Sequence, residues 1–311
     1  MRKPILLAAC LSALIPLASC KKPFSLPPLT SSPSPLTTPT PTRTNTPAPA
    51  GQIVFSSSRD GDGGIYVMNP DGSAQTAIKA DAVWDEYPSW SPDKSRILFT
   101  SYPVDNPEIF VMNADGSGAI NLTNSPSWDY NPAWSPDGSR IIFSSDLDGY
   151  YNLYIVNADG SGVTHLTDGI DYDDYPAWSP DGTRIAFESY REDNDDIYVV
   201  NTDGIGLTRL TTADNNDGLP AWSPGGSKIA FSSDREGQFD IHVMNADGSD
   251  QTRLTDNPEY DGFPCWSPDG SRIAFVSMRD GHAQIYVMNA DGSGQVNISN
   301  SIYEDTHPDW K

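Results

Sequence analysis

Short runs of alternating apolar and polar residues recur along residues 51–311, separated by clusters of Gly, Pro, Asn and Asp. Within residues 131–174, these runs are PAWS, SRIIFSS, NLYIVN and VTHLT, and the segments between them are PDG, LDGYY and ADGSG. Alternation with a period of two residues, bounded by turn-forming residues, is typical of β-strands. The pattern therefore predicts four short strands in each unit of the chain.

The four-strand unit repeats with a fixed period of 44 residues, which is marked by Trp90, Trp134, Trp178, Trp222, Trp266 and Trp310. Four strands per period of this length are the sequence signature of a β-propeller. Three strand patterns begin at Gln52, and residues 307–311 form only a first strand. We therefore predict an all-β fold over residues 51–311: a six-bladed β-propeller of four-stranded blades, closed by a C-terminal strand that joins the three N-terminal strands.

The first 50 residues differ in composition from the repeats. Arg2 and Lys3 precede a mostly apolar stretch that ends in LASC, as in a secretory signal peptide. LASC also resembles the bacterial lipobox, in which the Cys is lipidated. We expect a lipoprotein signal peptide over residues 1–19, and over residues 20–50 a lipidated Cys20 followed by a disordered Pro/Thr/Ser tether. The alternative is an ordinary signal peptide with an incidental Cys.

The chain is strongly acidic, with a formal net charge of −23. Binding to nucleic acid requires a basic surface, so this balance argues against a nucleic-acid partner. It favours cations or basic partners, or serves solubility.

The repeat has distinctive sequence motifs, for example PAWSPDGTRIAF at residues 176–187 and IYVMNADGSG at residues 285–294. These motifs resemble the propeller repeat of the TolB family, the periplasmic component of the Tol–Pal envelope system. The resemblance covers essentially all of residues 51–311. It implies a TolB-like envelope protein in which a tether stands in place of the N-terminal α/β domain of TolB.

Aromatic residues crowd the loops that vary between repeats, which are the second-to-third loops and the connections between blades. The set comprises Trp84, Tyr87, Tyr102, Trp128, Tyr130, Tyr150, Tyr151, Tyr172, Tyr175 and Tyr190, with acids such as Asp174 among them. Exposed Tyr and Trp suit a surface that binds a protein or a glycan. Packing of these rings between blades is the alternative.

An Asp stands five residues before every repeat Trp: Asp85, Asp129, Asp173, Asp217, Asp261 and Asp305. Six carboxylates near one axis would suit Ca²⁺, the one cofactor that the sequence suggests. The alternative is repeated ion pairing with Arg59, Arg191, Arg235 and Arg279. Pro103 and Leu147 stand at the equivalent Arg position in two repeats, so there we expect an unpaired Asp.

The sequence shows no nucleophile elbow, no His pair with ligand spacing and no phosphate loop followed by a helix. We therefore favour a non-enzymatic binding lipoprotein that is monomeric, anchored to a membrane and facing the periplasm or the cell exterior. Its expected partner is an envelope protein. The alternatives are glycan or cell-wall polysaccharide binding, and a metal-dependent hydrolase or lyase at the mouth of the channel.

Overall fold

The computed structural model describes residues 51–61, 63–81, 83–103, 106–169 and 172–311. These residues form six four-stranded sheets in which all paired strands are antiparallel, and the predicted six-bladed propeller is confirmed. None of this part of the chain forms a helix with the length and apolar character needed to span a membrane. The predicted signal peptide, Cys20 and the tether lie outside the described residues.

Each blade contains four strands, which we call its first to fourth strand from the channel outwards. The first strands are β4 (Asp85–Trp90), β8 (Asp129–Trp134), β12 (Asp173–Trp178), β16 (Asp217–Trp222), β20 (Asp261–Trp266) and β24 (Asp305–Trp310). The second strands are β1 (Ile53–Ser57), β5 (Arg96–Ser101), β9 (Arg140–Ser145), β13 (Arg184–Ser189), β17 (Lys228–Ser233) and β21 (Arg272–Ser277).

The outer half of each blade is less regular. The third strands are β2 (Gly64–Met68), β6 (Glu108–Asn113), β10 (Asn152–Asn157), β14 (Asp196–Asn201), β18 (Asp240–Asn245) and β22 (Gln284–Asn289). The fourth strands, at the outer edge, are β3 (Thr76–Lys79), β7 (Ile120–Asn121), β11 (Thr164–His165), β15 (Thr208–Arg209), β19 (Thr252–Arg253) and β23 (Val296–Asn297). Short edge strands limit edge-to-edge association.

The last strand of the chain closes the ring. Blade 1 has the strand order β24-β1-β2-β3, and blades 2 to 6 follow as β4–β7, β8–β11, β12–β15, β16–β19 and β20–β23. Strand β24 pairs antiparallel with β1, placing Trp310 opposite Ile53, and the Gln52 N–H donates to the carbonyl of Lys311 (2.7 Å). First strands of successive blades contact one another all the way round, so they line the central channel.

The hydrophobic core lies between blades. In one cluster, Leu98 and Ile109 of blade 2 pack against Trp134, Phe143 and Tyr154 of blade 3, and the other blade interfaces repeat this arrangement. Each repeat Trp is buried at such an interface. Burial of this aromatic area between every pair of neighbours stabilises the ring as one unit.

Every first strand carries a β-bulge at its centre. The register with the second strand shifts between Glu86 and Ser89 in blade 2 and at the equivalent position of the other five blades. A bulge breaks the alternation of side chains along a strand. As a result, the residue that precedes the Pro of each first strand lines the channel.

Candidate functional site at the channel mouth

The loops that vary between repeats meet at one end of the propeller, which we call the variable face. Backbone hydrogen bonds join the two loop types: the Tyr102 N–H donates to the carbonyl of Trp84 (3.0 Å), and the Tyr190 N–H donates to that of Tyr172 (3.0 Å). The chain enters each first strand from this face. Residues near the start of a first strand therefore surround the mouth of the channel.

Five of the aromatic residues singled out in the sequence are joined by ring contacts into one group, which we call the aromatic chain: four rings follow one another from Tyr102 to Tyr172, and Trp128 branches from Tyr130. It consists of Tyr102, Trp128, Tyr130, Tyr151 and Tyr172, with centroid separations from 5.7 to 6.4 Å. Trp128 is 46% exposed, so the chain presents ring surface to solvent. The remaining predicted rings on this face are Tyr150 and Tyr190, which are exposed, and Trp84, which packs over Gly63.

Tyr87 and Tyr175 lie inside the channel and do not belong to that exposed surface. They belong to a ring of six residues, one per blade, that we call the collar: Tyr87, Asn131, Tyr175, Leu219, Phe263 and His307. All six have φ between 50° and 57°. Residues other than Gly rarely adopt this left-handed conformation, and it costs about 1 kcal/mol or more for each residue. The β-bulge imposes it and turns each collar side chain towards the channel.

Three collar rings meet across the channel. Tyr87, Tyr175 and Phe263 belong to the alternate blades 2, 4 and 6, and their centroids lie 6.2 to 6.4 Å apart. His307 packs beside them, with its centroid 3.9 Å from that of Tyr87 and 4.6 Å from that of Phe263. The collar and the Pro residues behind it line a cavity of about 160 Å³.

The collar is uncharged at neutral pH. Burial lowers the pKa of His307 to about 3, so the imidazole is neutral. Burial also raises the pKa of Tyr87 and of Tyr175 well above the usual value for a phenol, and the nearby acids raise both further. These rings therefore offer π-faces and phenol hydroxyls, but no charge of their own.

Three carboxyls, which we call the mouth acids, touch the collar. Glu86 directly precedes Tyr87 in β4. Asp174 accepts a hydrogen bond from Asn131 Nδ2 (2.7 Å). Glu188 lies on β13, opposite Asp174, and accepts the Leu219 N–H of the next blade (3.2 Å).

The mouth acids have no Lys or Arg partner among the residues that the structure describes. Among the ion pairs of the described residues, none includes a mouth acid. Burial raises the pKa of Glu86 to about 7, against weaker hydrogen bonds from Trp84 and Tyr102 that lower it. Burial also raises the pKa values of Asp174 and Glu188, and for Glu188 the charges of Asp195 and Asp174 add to the rise. The mouth therefore holds carboxyls that lack a positive partner.

Five of the six Asp residues proposed as a Ca²⁺ ring form ion pairs. Four pair with an Arg of their own blade: Arg59–Asp305 (2.6 Å), Arg191–Asp173 (2.5 Å), Arg235–Asp217 (2.8 Å) and Arg279–Asp261 (3.0 Å). Lys79 of blade 1 reaches Asp85 of blade 2 (2.5 Å), so Asp85 is paired although its blade lacks the Arg. In the part of the chain that the structure covers, no three His, Cys, Asp or Glu side chains are grouped to hold a metal ion.

Asp129 is the ring member without an ion pair, as expected from Leu147 at the Arg position. Its carboxylate accepts a hydrogen bond from Ser125 Oγ (3.0 Å). Burial raises its pKa to about 6, although hydrogen bonds from hydroxyls oppose that shift. The alternative of Arg pairing is thus correct for four positions, and the pairs lie within blades.

Sequence reasoning missed most of the channel site. It singled out Tyr87 and Tyr175, but not Asn131, Leu219, Phe263 or His307, although all six stand directly before the Pro of a first strand. Glu188 was also missed. The signal for it was present, because the equivalent positions of the other second strands hold Ser56, Thr100, Ser144, Ser232 and Val276.

The architecture defines a closed six-bladed β-propeller with an acidic, aromatic mouth. The sequence model of the TolB beta propeller domain family matches residues 121–218 and 213–311. The chain therefore belongs to the TolB β-propeller family. Among curated proteins, none matches this sequence.

Solved structures with low sequence identity share the fold. TolB from Acinetobacter baumannii is 21% identical with a TM-score of 0.74, covering 84% of this chain, which spans 66% of that protein. A protein described as TolB from Agrobacterium tumefaciens is 24% identical with a TM-score of 0.66, covering 81% of this chain and 89% of its own. An oligogalacturonate lyase in complex with manganese is 17% identical with a TM-score of 0.55, covering 80% and 74%.

Proposed function

We propose that this protein is a non-enzymatic scaffold of the cell envelope that docks a protein partner on its variable face. The observation that carries the proposal is the aromatic chain, a connected group of five rings across blades 2 to 4 with Trp128 half-exposed. Trp and Tyr dominate the binding energy of many protein interfaces because they bury a large area at a small entropic cost.

The charge of the chain supports a partner with a basic contact surface. The chain carries a net charge of −23, and the mouth acids place carboxyls without an ion-pair partner among the described residues beside the aromatic chain. Complementary charge speeds association and excludes acidic competitors. A basic surface flanking an apolar patch on the partner fits both features.

The proposed location follows from the N-terminal sequence. Lipidation of Cys20 anchors the chain to a membrane, and the Pro-rich segment to residue 50 holds the propeller away from it. The propeller then faces the periplasm or the cell exterior as a monomer, where a tethered docking module meets envelope partners.

The test is capture of partners from the envelope fraction of the source cells, with the wild-type protein and two variants as bait. One variant combines Trp128→Ala, Tyr151→Ala and Tyr172→Ala. Its matched control combines Val163→Ser and Ile205→Ser, which replace apolar residues that are 52% and 68% exposed and lie outside the variable face. We expect a protein that the wild type and the control retain and the triple variant loses. Equal retention by all three would overturn the proposal.

Polysaccharide binding by the same rings remains the second candidate function, since exposed Tyr150 and Tyr190 extend the aromatic surface. A glycan array with the same variants separates it from protein docking. A metal-dependent hydrolase or lyase gains little support, because a match at 17% identity shows the fold alone. The described residues also contain no group of three side chains suited to a metal ion.

A further inference from the structure

The polar groups around the collar are hydrogen-bond acceptors in excess of donors. The mouth acids accept hydrogen bonds from neutral groups, namely the Leu219 N–H for Glu188 and the Asn131 side-chain amide for Asp174. Glu86 receives a hydrogen bond from the Trp84 side chain and a long contact from the Tyr102 hydroxyl (3.4 Å). Carboxylates in such a low-dielectric site interact strongly with any cation that reaches them.

Asn131 adds an acceptor of a different kind. Its side chain lines the cavity at the collar and is 8% exposed. Its Nδ2 is bonded to Asp174, but its buried Oδ1 has no hydrogen-bond partner among the described residues. A buried carbonyl oxygen without a donor costs free energy that a ligand N–H would recover.

The third component is aromatic. Tyr87, Tyr175 and Phe263 meet across the channel, with Glu86 and Asp174 directly before the two Tyr residues in sequence. Aromatic faces attract cations, and the attraction grows when the cation is desolvated. The cavity lining supplies an acceptor and aromatic faces, and Asp174 and Glu188 adjoin that lining through their hydrogen bonds with Asn131 and Leu219. Together these groups are complementary to a ligand that has positive charge, N–H donors and a planar or apolar body.

A bare metal ion does not fit this arrangement. Metal ligands converge on one point within about 2.6 Å, and no three acidic, His or Cys side chains of the described residues are grouped in this way. The mouth acids lie on different strands and touch different collar residues, so a ligand that engages them has to extend between them.

We propose that the channel mouth is a binding site for an organic cation that carries N–H donors, a guanidinium or a primary ammonium group. Glu86, Asp174 and Glu188 supply carboxyls that a bound cation favours in their ionised form, Asn131 Oδ1 accepts an N–H, and Tyr87 and Tyr175 supply aromatic contact. The cation has two chemical sources: a free amine or guanidine, or an Arg or Lys side chain of a protein. This site goes beyond the proposed docking function and exists whether or not a partner covers the aromatic chain.

The test is titration calorimetry of the full-length protein with agmatine, the peptide Gly-Arg-Gly with blocked ends, and tetramethylammonium. We expect the two guanidinium probes to bind and tetramethylammonium, which has no N–H, to bind at least about tenfold more weakly. Tighter binding of agmatine assigns the site to a free small molecule, and tighter binding of the peptide assigns it to a protein side chain. No binding of either guanidinium probe would overturn the inference.

Variants identify the site. Glu86→Gln and Glu188→Gln keep the shape of the side chain and remove one charge, and each is expected to weaken agmatine binding about tenfold. Glu192→Gln removes the same charge from an exposed residue of the same face and serves as the matched control. An equal loss in all three variants would reduce the effect to long-range charge and refute a specific site.

The same titration separates this inference from the docking proposal. The variant with Trp128, Tyr151 and Tyr172 replaced by Ala keeps all three mouth acids and Asn131. It is expected to bind agmatine like the wild type even where it loses the partner. Retention of the partner with loss of agmatine binding in Glu188→Gln would show that the two surfaces work independently.

Discussion

The carboxyl group of Glu188 occupies the space that a side chain at Gly218 would fill. A Cβ built on Gly218 would lie 2.0 Å from Glu188 Oε2 and 2.7 Å from its Cδ. Glu188 belongs to blade 4 and Gly218 to blade 5, so this contact joins two blades at the mouth of the channel. Gly218 is therefore the residue that admits a buried acid beside the collar.

We expect Gly218→Ala to destabilise the propeller by roughly 1–3 kcal/mol, the usual cost of overpacking a filled interior site. The new methyl group has to displace a carboxylate that is held by the Leu219 N–H. Urea unfolding followed by tryptophan fluorescence measures the change. Gly225→Ala is the matched control, since no atom lies within 4 Å of a Cβ built there.

The two positions should be strongly coupled. In a Glu188→Ala background the obstacle is gone, and Gly218→Ala is expected to cost less than about 0.5 kcal/mol. If the two substitutions proved additive, the destabilisation would have to arise from the backbone of β16 and not from Glu188.

Stability should fall as the pH rises towards neutrality. The pKa of Glu86 rises from 4.5 to about 7 on folding, so the folded protein binds this proton more tightly than the unfolded chain. As the pH rises between those two pKa values, the free energy of unfolding falls. The total loss that Glu86 causes is on the order of 3 kcal/mol. Urea midpoints measured from pH 5 to pH 8 test this slope.

Glu86→Gln isolates the contribution of that carboxyl. The variant should be more stable than the wild type at pH 8 and should show a shallower pH dependence. Glu192→Gln, on the exposed surface, is the control and should leave the slope unchanged. The turn residues Asp93, Asp137, Asp181 and Asp269 have pKa values lowered to about 2, so their linkage acts below pH 4 and does not overlap this range.

Removal of an ion-paired Arg should destabilise the propeller more than removal of the charge of an Asp that has no ion pair. Arg191→Met leaves Asp173 fully buried without its cation, and we expect a loss of about 3–5 kcal/mol. Asp129→Asn removes a buried carboxylate that has no ion pair, so at pH 8 it should be neutral or stabilising. Adding Asp173→Asn to Arg191→Met should restore most of the stability; failure to do so would attribute the loss to packing of the Arg stem.

Membrane anchoring should depend on Cys20. Cys20→Ser is expected to move the protein from the detergent phase to the aqueous phase of a Triton X-114 separation, and intact-mass measurement should show loss of the lipid. Cys265→Ala is the matched control, because Ala occupies the equivalent position at Ala133 and Ala177. A detergent-phase Cys20→Ser protein would contradict lipidation at this residue.

The periodic part of the sequence specified the architecture, whereas the site depends on departures from that period. The 44-residue spacing and the alternating strands led to six blades and to the correct closure at β24. Strict alternation would direct the side chains of Asp85 and Tyr87, two residues apart, to the same side of the strand. The bulge between Glu86 and Ser89 breaks that rule, so Asp85 turns to an ion pair and Tyr87 enters the channel.

Contacts between blades were equally hidden from the sequence. The carboxyl of Asp174 accepts a hydrogen bond from Asn131, which is 43 residues away in the neighbouring blade. The carboxyl of Glu188 fits into the space that the missing side chain of Gly218 leaves. Neither pair is adjacent in the chain, and no local pattern marks it. Comparison of equivalent repeat positions shows that Glu188 is unusual, whereas Gly218 has a counterpart in Gly262. Only the packed structure shows that Gly218 makes room for Glu188.

The mutual contacts of Tyr87, Tyr175 and Phe263 narrow the central channel at the level of the collar. We expect a ligand that enters from the variable face to stop at these packed rings and to leave through the same opening. The opposite face, with its repeated Pro-Asp-Gly turns, should then be separate from a ligand bound at the variable face. Two different molecules can occupy the two ends of this protein without competing for one passage.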